Sequence, residues 1–263
     1  MHLRTYCRFV FEIEVPTPFV FMLRPRSSRN QWVVSDRYVL KPFVYTFEFT
    51  DIYGNLCQRL VAPVGDFSLT TSAEVTVSEI TYKKQGDDFV EVQYLPNDIL
   101  IYLLPSRYCE SEYFQNLVTE IAADIPPGYG QVAAIVNWIR ANVRYELSGS
   151  DAPVSAGEVN SRQWGVCRDL AHLGIALCRA LSIPARMVVG YLHGLEPMDM
   201  HAWFEAYLGG RWYIFDPTQV HERQGYVVLA YGRDAADVAI YNQFGPVVYP
   251  LEKTVSVDCS IPY

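Results

Sequence analysis

The chain is short of basic residues. Its 263 residues carry 21 Lys and Arg against 29 Asp and Glu, a formal net charge of -8. Binding to a phosphate backbone needs clustered cations, so nucleic acid is excluded as a generic partner. No apolar run approaches the ~20 residues of a membrane span, and Arg179, Pro184 and Arg186 interrupt the best candidate. No membrane association is therefore expected. The start, Met1 to Cys7, lacks the charged segment, apolar run and small-residue cleavage site of a signal peptide. There is no CxxC or HExxH pattern, so neither a metal nor a cofactor is expected. The cysteines at 7, 57, 109, 167, 178 and 259 show no paired spacing. Reduced thiols in the cytoplasm are the expectation. No internal repeat or low-complexity tract is present.

What is there has ordinary globular proportions, with half the residues hydrophobic and 19% charged. The length suits two domains. Residues 2–104 read as short strands. Phe9, Phe11 and Ile13 alternate with polar neighbours until Pro16 and Pro18. Phe43 to Phe49 alternates again and meets a turn at Asp51–Asn55, and Phe67–Thr70 and Glu74–Val77 keep the period of two. This pattern favours an antiparallel β-sandwich over residues 1–104. After a linker at Leu104–Tyr108 the period becomes helical, opening a domain over 105–263. Tyr113, Phe114, Leu117, Val118 and Ile121 give one helical face. Pro126-Pro127-Gly128 breaks it, and Val132 to Ile139 make a second helix running toward Tyr145. A Ser-, Gly-, Asp- and Pro-bearing loop at 148–154 and a polar loop at Asn160–Gln163 lead to Cys167.

Cys167 follows Gly165-Val166 and opens a pattern in which Leu170, Ala171, Gly174, Ile175, Cys178 and Leu181 recur at helical spacing. A helix N-terminus favours a thiolate, the nucleophilic form of cysteine. Taken alone, a small buried core residue is the plainer reading. The sequence beyond it changes that balance. Ala185–Leu192 reads as a buried strand. His201–Leu208 and Arg211–Asp216 flank Gly209-Gly210, a two-residue hairpin signal. With Leu208 opposite Arg211, Trp203 lies opposite Asp216. His201 is then a same-face diagonal neighbour of Asp216, ~7–8 Å away at the backbone. That spacing suits a base and the carboxylate that orients it. A slip of one residue would put the two on opposite faces.

Three segments, Gly165–Asp169, Asp199–Glu205 and Trp212–Thr218, resemble the three motifs of the transglutaminase-like superfamily. Nearly the whole chain is similar to a bacterial group of candidate cysteine proteases in it, including Asp51–Asn55, Leu104–Tyr108 and Gly232–Val238. The resemblance implies an α+β, papain-like core preceded by an accessory β domain, with Cys167 as nucleophile, His201 as base and Asp216 as orienter. Arg168 stands where animal protein-crosslinking transglutaminases carry tryptophan, a departure that weakens the case for glutamine–lysine crosslinking.

The implied chemistry is acyl transfer on an amide of a peptide or protein. Water resolves the acyl-enzyme in a peptidase or amidase, an amine in a transferase. A non-catalytic peptide-binding module is the third reading. The backbone N–H of Cys167 and the Gln163 side chain are candidate oxyanion donors. Trp164 is a candidate pocket residue or core. Asp169 and His172 read as a helix-stabilising pair, Arg233 with Asp234 as a structural ion pair, and Gly194–Met200 as a strand connection.

Overall fold

A computed structural model describes residues 1–80, 89–147 and 152–260. The N-terminal strands are β1 (His2–Ile13), β2 (Thr17–Phe21), β3 (Gln31–Lys41), β4 (Phe47–Thr50), β5 (Leu56–Ala62) and β6 (Gly65–Val77). Then come α1 (Gln115–Ile121), α2 (Tyr129–Asn142), β7 (Arg144–Tyr145), α3 (Ala156–Arg162), β8 (Trp164–Gly165) and α4 (Cys167–Ala180). The remainder is strand: β9 (Ala185–Leu192), β10 (His201–Leu208), β11 (Arg211–Phe215), β12 (Tyr226–Gly232), β13 (Tyr241–Gln243) and β14 (Glu252–Cys259).

The strands of residues 2–77 form two antiparallel sheets, ordered β14-β1-β6-β3 and β13-β2-β5-β4. Alternation makes them a sandwich: every second residue of β1 from Leu3 to Ile13 is buried. Phe9, Phe11, Phe19 and Phe21 meet Tyr241 in the core, with ring centroids 5.5–6.1 Å from it. Both sheets are completed by the far end of the chain, β13 on β2 and β14 on β1. The boundary expected at residue 104 thus follows chain order, whereas these sheets also draw on residues 241–259.

Local expectation and structure part in two places. The alternation of Phe43–Phe49 yields a strand only at β4, because β5 offers partners from Thr50↔Leu56 to Phe47↔Arg59 and then pairs onward with β2 alone. Phe43 and Tyr45 stay exposed. Asn160–Arg162 is the end of α3 rather than a loop. Ser155 Oγ caps that helix by accepting from Glu158 N, and Gln163 ends it with φ 58°. Residues 148–151 of the loop expected before it lie outside the described residues.

The third sheet runs β11-β10-β9-β12. The Gly209-Gly210 turn has positive φ at both residues, and the register is the expected one, Leu208↔Arg211 through Phe204↔Phe215. All eight residues of β10 are buried, because α4 covers one side of it. β12 would otherwise be an open edge. Instead, Gln31 gives Nε2 to Val228 O (2.9 Å) and takes Val228 N on Oε1 (2.8 Å). Asn55 does the same at Tyr231, at 2.7 and 2.8 Å. In reverse, Gln224 exchanges both bonds with the backbone of Ile80, at 2.8 and 2.7 Å. Side-chain amides thus stand in for a neighbouring strand. A bulge between Val228 and Ala230 interrupts the pairing of β12 with β9.

Candidate active site

Cys167 is the first residue of α4, where its backbone N–H has no intrahelical acceptor. Its side chain is half-buried, whereas Cys7, Cys57, Cys109 and Cys178 are buried in full. Gly165 lets the chain enter this helix closely, since a Cβ there would stand 2.9 Å from that of Asp169. The Asp169 carboxylate is fully buried, and it accepts from Val166 N (3.3 Å), Arg162 Nη2 (2.9 Å) and Arg168 Nε (3.0 Å). Arg168, at the position of the animal tryptophan, is thereby drawn back onto the helix start, and its Nη2 donates to Ala152 O.

His201 opens β10, and Asp216 follows the last residue of β11. His201 Nε2 lies 2.7 Å from Asp216 Oδ2, and both side chains are buried. Asp216 Oδ2 also accepts from Tyr226 Oη (3.0 Å), and Oδ1 accepts from Thr218 N (3.0 Å) and Thr218 Oγ1 (2.7 Å). Burial pushes the Asp216 carboxyl up, but the His201 charge and the donated hydrogen bonds outweigh it and hold the pKa below the ordinary value. Burial would lower the His201 pKa. The charge and hydrogen bond of Asp216, with smaller help from Cys167, reverse this and raise it to about 10.

The second imidazole nitrogen, Nδ1, is buried without a hydrogen-bond partner among the described residues. Cys167 acts on the ring through a loose hydrogen bond and its charge, a contact that falls short of full hydrogen-bond geometry at Nδ1. The indole of Trp203 stacks on the imidazole with centroids 5.9 Å apart. A cavity of about 250 Å³ reaches Asp216 between α2 and the 219–222 loop. Its lining includes neither Cys167 nor His201.

A model of the transglutaminase-like superfamily matches residues 115–217, the stretch that contains Cys167, His201 and Asp216. The crystal structure of a candidate cysteine protease from Cytophaga hutchinsonii is 36% identical and superposes with a TM-score of 0.92, covering 100% of this chain and 92% of that one. This chain belongs to the transglutaminase-like superfamily. An uncharacterized protein of Mycobacterium leprae (strain TN) is 31% identical over 242 residues, 82% of either chain. One from Mycobacterium tuberculosis (strain ATCC 25618 / H37Rv) is 29% identical over 142 residues, 48% of this chain and 44% of its own.

The other residues singled out in the transglutaminase-like sequence fall as follows. Gln163 is exposed and left-handed, and its backbone joins α3 to β7 through Val159 O and Arg144 N. Trp164 is half-buried under the Arg162 guanidinium, 3.8 Å from the ring centroid. Asp169 and His172 make no hydrogen bond to each other. Asp169 serves the helix start, and His172 donates from Nδ1 to Val154 O and accepts at Nε2 from Ala235 N. Arg233 pairs with Asp237 rather than with Asp234, whose carboxylate instead holds the backbone of Tyr108 and Ala236.

Tyr145 lies within electrostatic reach of Cys167 and Asp216. Burial, then the charges of Cys167, Asp216 and Asp199, push its phenol well above the ordinary value, so it remains an O–H donor. It belongs to a two-residue strand paired with Trp164-Gly165, too short to leave any periodic signal. Only its place three residues beyond α2 marks it in the sequence.

Proposed function

We propose that this protein is a cysteine hydrolase that cleaves amide bonds of a peptide or protein, with Cys167, His201 and Asp216 as its catalytic residues. One observation carries the reading. His201 gives one nitrogen to a buried carboxylate and leaves the other without a hydrogen bond of full geometry, in a ring on which Cys167 acts through a loose hydrogen bond and its charge. Asp216 favours the imidazolium, so a proton is held at Nδ1 for a leaving amine.

In the first half-reaction, Cys167 Sγ bonds to the carbonyl carbon as the C–N bond breaks, and the Nδ1 proton goes to the departing amine. In the second, His201 takes a proton from water, whose oxygen attacks the thioester and frees Cys167. The oxyanion is held by the Cys167 N–H at the helix start; Gln163 is exposed, and the protonated Tyr145 hydroxyl, within electrostatic reach of Cys167, is the second donor to be tested. The described cysteines are all unbridged, which fits a reducing compartment, and we place the protein in the cytoplasm.

The test uses a library of labelled peptides and amides, with and without an excess of primary amine. Wild-type protein is expected to release hydrolysate, with Cys167→Ala inactive and still folded. Full activity in Cys167→Ala would refute the assignment. More conjugate than hydrolysate would make the protein a transferase. Peptide that binds and is never processed would leave a binding module. Tyr145→Phe is expected to lower kcat by about 10²–10³-fold with KM little changed.

A further inference from the structure

The turn that carries Asp216 is held by a residue far away in sequence. Arg140, in the last turn of α2, donates from Nη2 to Asp216 O (2.9 Å) and from Nε to Pro217 O (3.3 Å). The same Nη2 donates to Gln219 O. One planar guanidinium thus gathers three carbonyls of a four-residue turn, a geometry that an ammonium cannot reproduce. Inside that turn, Gln219 N returns to Asp216 O at 3.3 Å, and Thr218 orients the carboxylate. β11 ends at Phe215, so Asp216 has no strand pairing to fix it.

We infer that Arg140 is a positioning residue: it fixes the turn at Asp216–Gln219, and through it the direction in which the carboxylate meets His201. The inference rests on the proposed role of His201 and Asp216, but it does not require knowing a substrate. Arg140 does not touch His201; its carbonyl contacts lie on the backbone side of Asp216.

The charged and titratable groups around the pair come from six places. They are Cys167 on α4, Tyr145 on β7, Tyr226 on β12, Arg140 on α2, Asp199 before β10, and His221 with Glu222, which share the cavity that reaches Asp216. This arrangement gives the test a sign. Removing a cation near the imidazole, with nothing else altered, raises the His201 pKa. Losing the placement of Asp216 lowers it.

The experiment is an NMR titration of the 263-residue chain labelled at its five histidines. His201→Gln assigns the resonance, and thermal unfolding is followed in parallel. Arg140→Met is expected to weaken proton binding at His201 by about tenfold or more, one pKa unit downward. An unchanged or raised His201 pKa in a folded variant overturns the inference. Arg140→Lys keeps the charge and loses the fork, so a smaller downward shift is expected; no shift there overturns the inference even if Arg140→Met fails to fold. Absence of turnover on every substrate would count against the hydrolase and leave this result standing, and the reverse holds equally.

Discussion

His201 Nε2 and Asp216 Oδ2 are 2.7 Å apart, and both side chains are buried. The ion pair is therefore held at low dielectric, and it links stability to pH. The folded pKa of His201 is raised to about 10, so its contribution is complete below the unfolded value of ~6.5 and is lost as pH rises toward 10. Asp216 is lowered, so its contribution is present above the unfolded value of ~3.9 and is lost as pH falls. Urea unfolding of wild type should weaken across the alkaline window with a slope of at most about 1.4 kcal/mol per pH unit. His201→Gln should remove that slope. An equal slope in both proteins would count against the linkage.

Asp169 is buried between two arginines and also takes a backbone N–H at the start of α4. Asp169→Ala leaves these donors facing an emptied site, at a cost of about 3–5 kcal/mol. Thermal unfolding measures the loss. Alkylation of Cys167 should become less selective, because the helix start loses its anchor.

Gly190 in β9 permits a close approach of backbones. A Cβ there would meet the carbonyl oxygen of Val227 at 2.0 Å and the ring of Trp203 at 3.0 Å. Gly190→Ala must part β9 from β12 or tilt the indole that stacks on His201. The expected cost is about 2–4 kcal/mol, with reduced turnover in whatever fraction folds. Wild-type denaturant midpoint and activity would contradict this expectation.

Gln31 and Asn55 each satisfy one N–H and one C=O of β12. Asn55→Ala exposes or orphans both backbone groups at Tyr231 and should cost about 1–3 kcal/mol. Asn55→Asp keeps the size and loses the donor, and should cost as much or more. Hydrogen exchange should rise at Tyr231 N–H first, and uniform protection across β12 would count against the assignment.

The hairpin that brings His201 to Asp216 was legible because its information is local. Gly209-Gly210 sets the turn, and the period of two does the rest. Cys167 at a helix start was legible for the same reason, as was the sandwich pattern of β1 and β6. The pairings of β13 and β14 with β2 and β1 leave no local trace, since each joins segments more than 200 residues apart. Arg140 and Tyr145 were invisible for a related reason. One acts on backbone carbonyls, which any sequence supplies, and the other lies on a strand of two residues. Pairings guessed from charge failed where a third residue competed: Asp237 took Arg233, and Asp234 went to backbone amides.

The bulge in β12 sets a matter of phase. Backbone groups along a strand turn to the same edge at every second residue, yet Gln31 and Asn55 grip Val228 and Tyr231, which are three apart. The residue inserted between Val228 and Ala230 makes up the difference, so both gripping points face outward. The amides address main chain only, so the clasps themselves do not read the side chains at 228 and 231. The count between them cannot change by one without turning one clasp toward β9. The fit between the sandwich and the β11-β10-β9-β12 sheet is written in spacing.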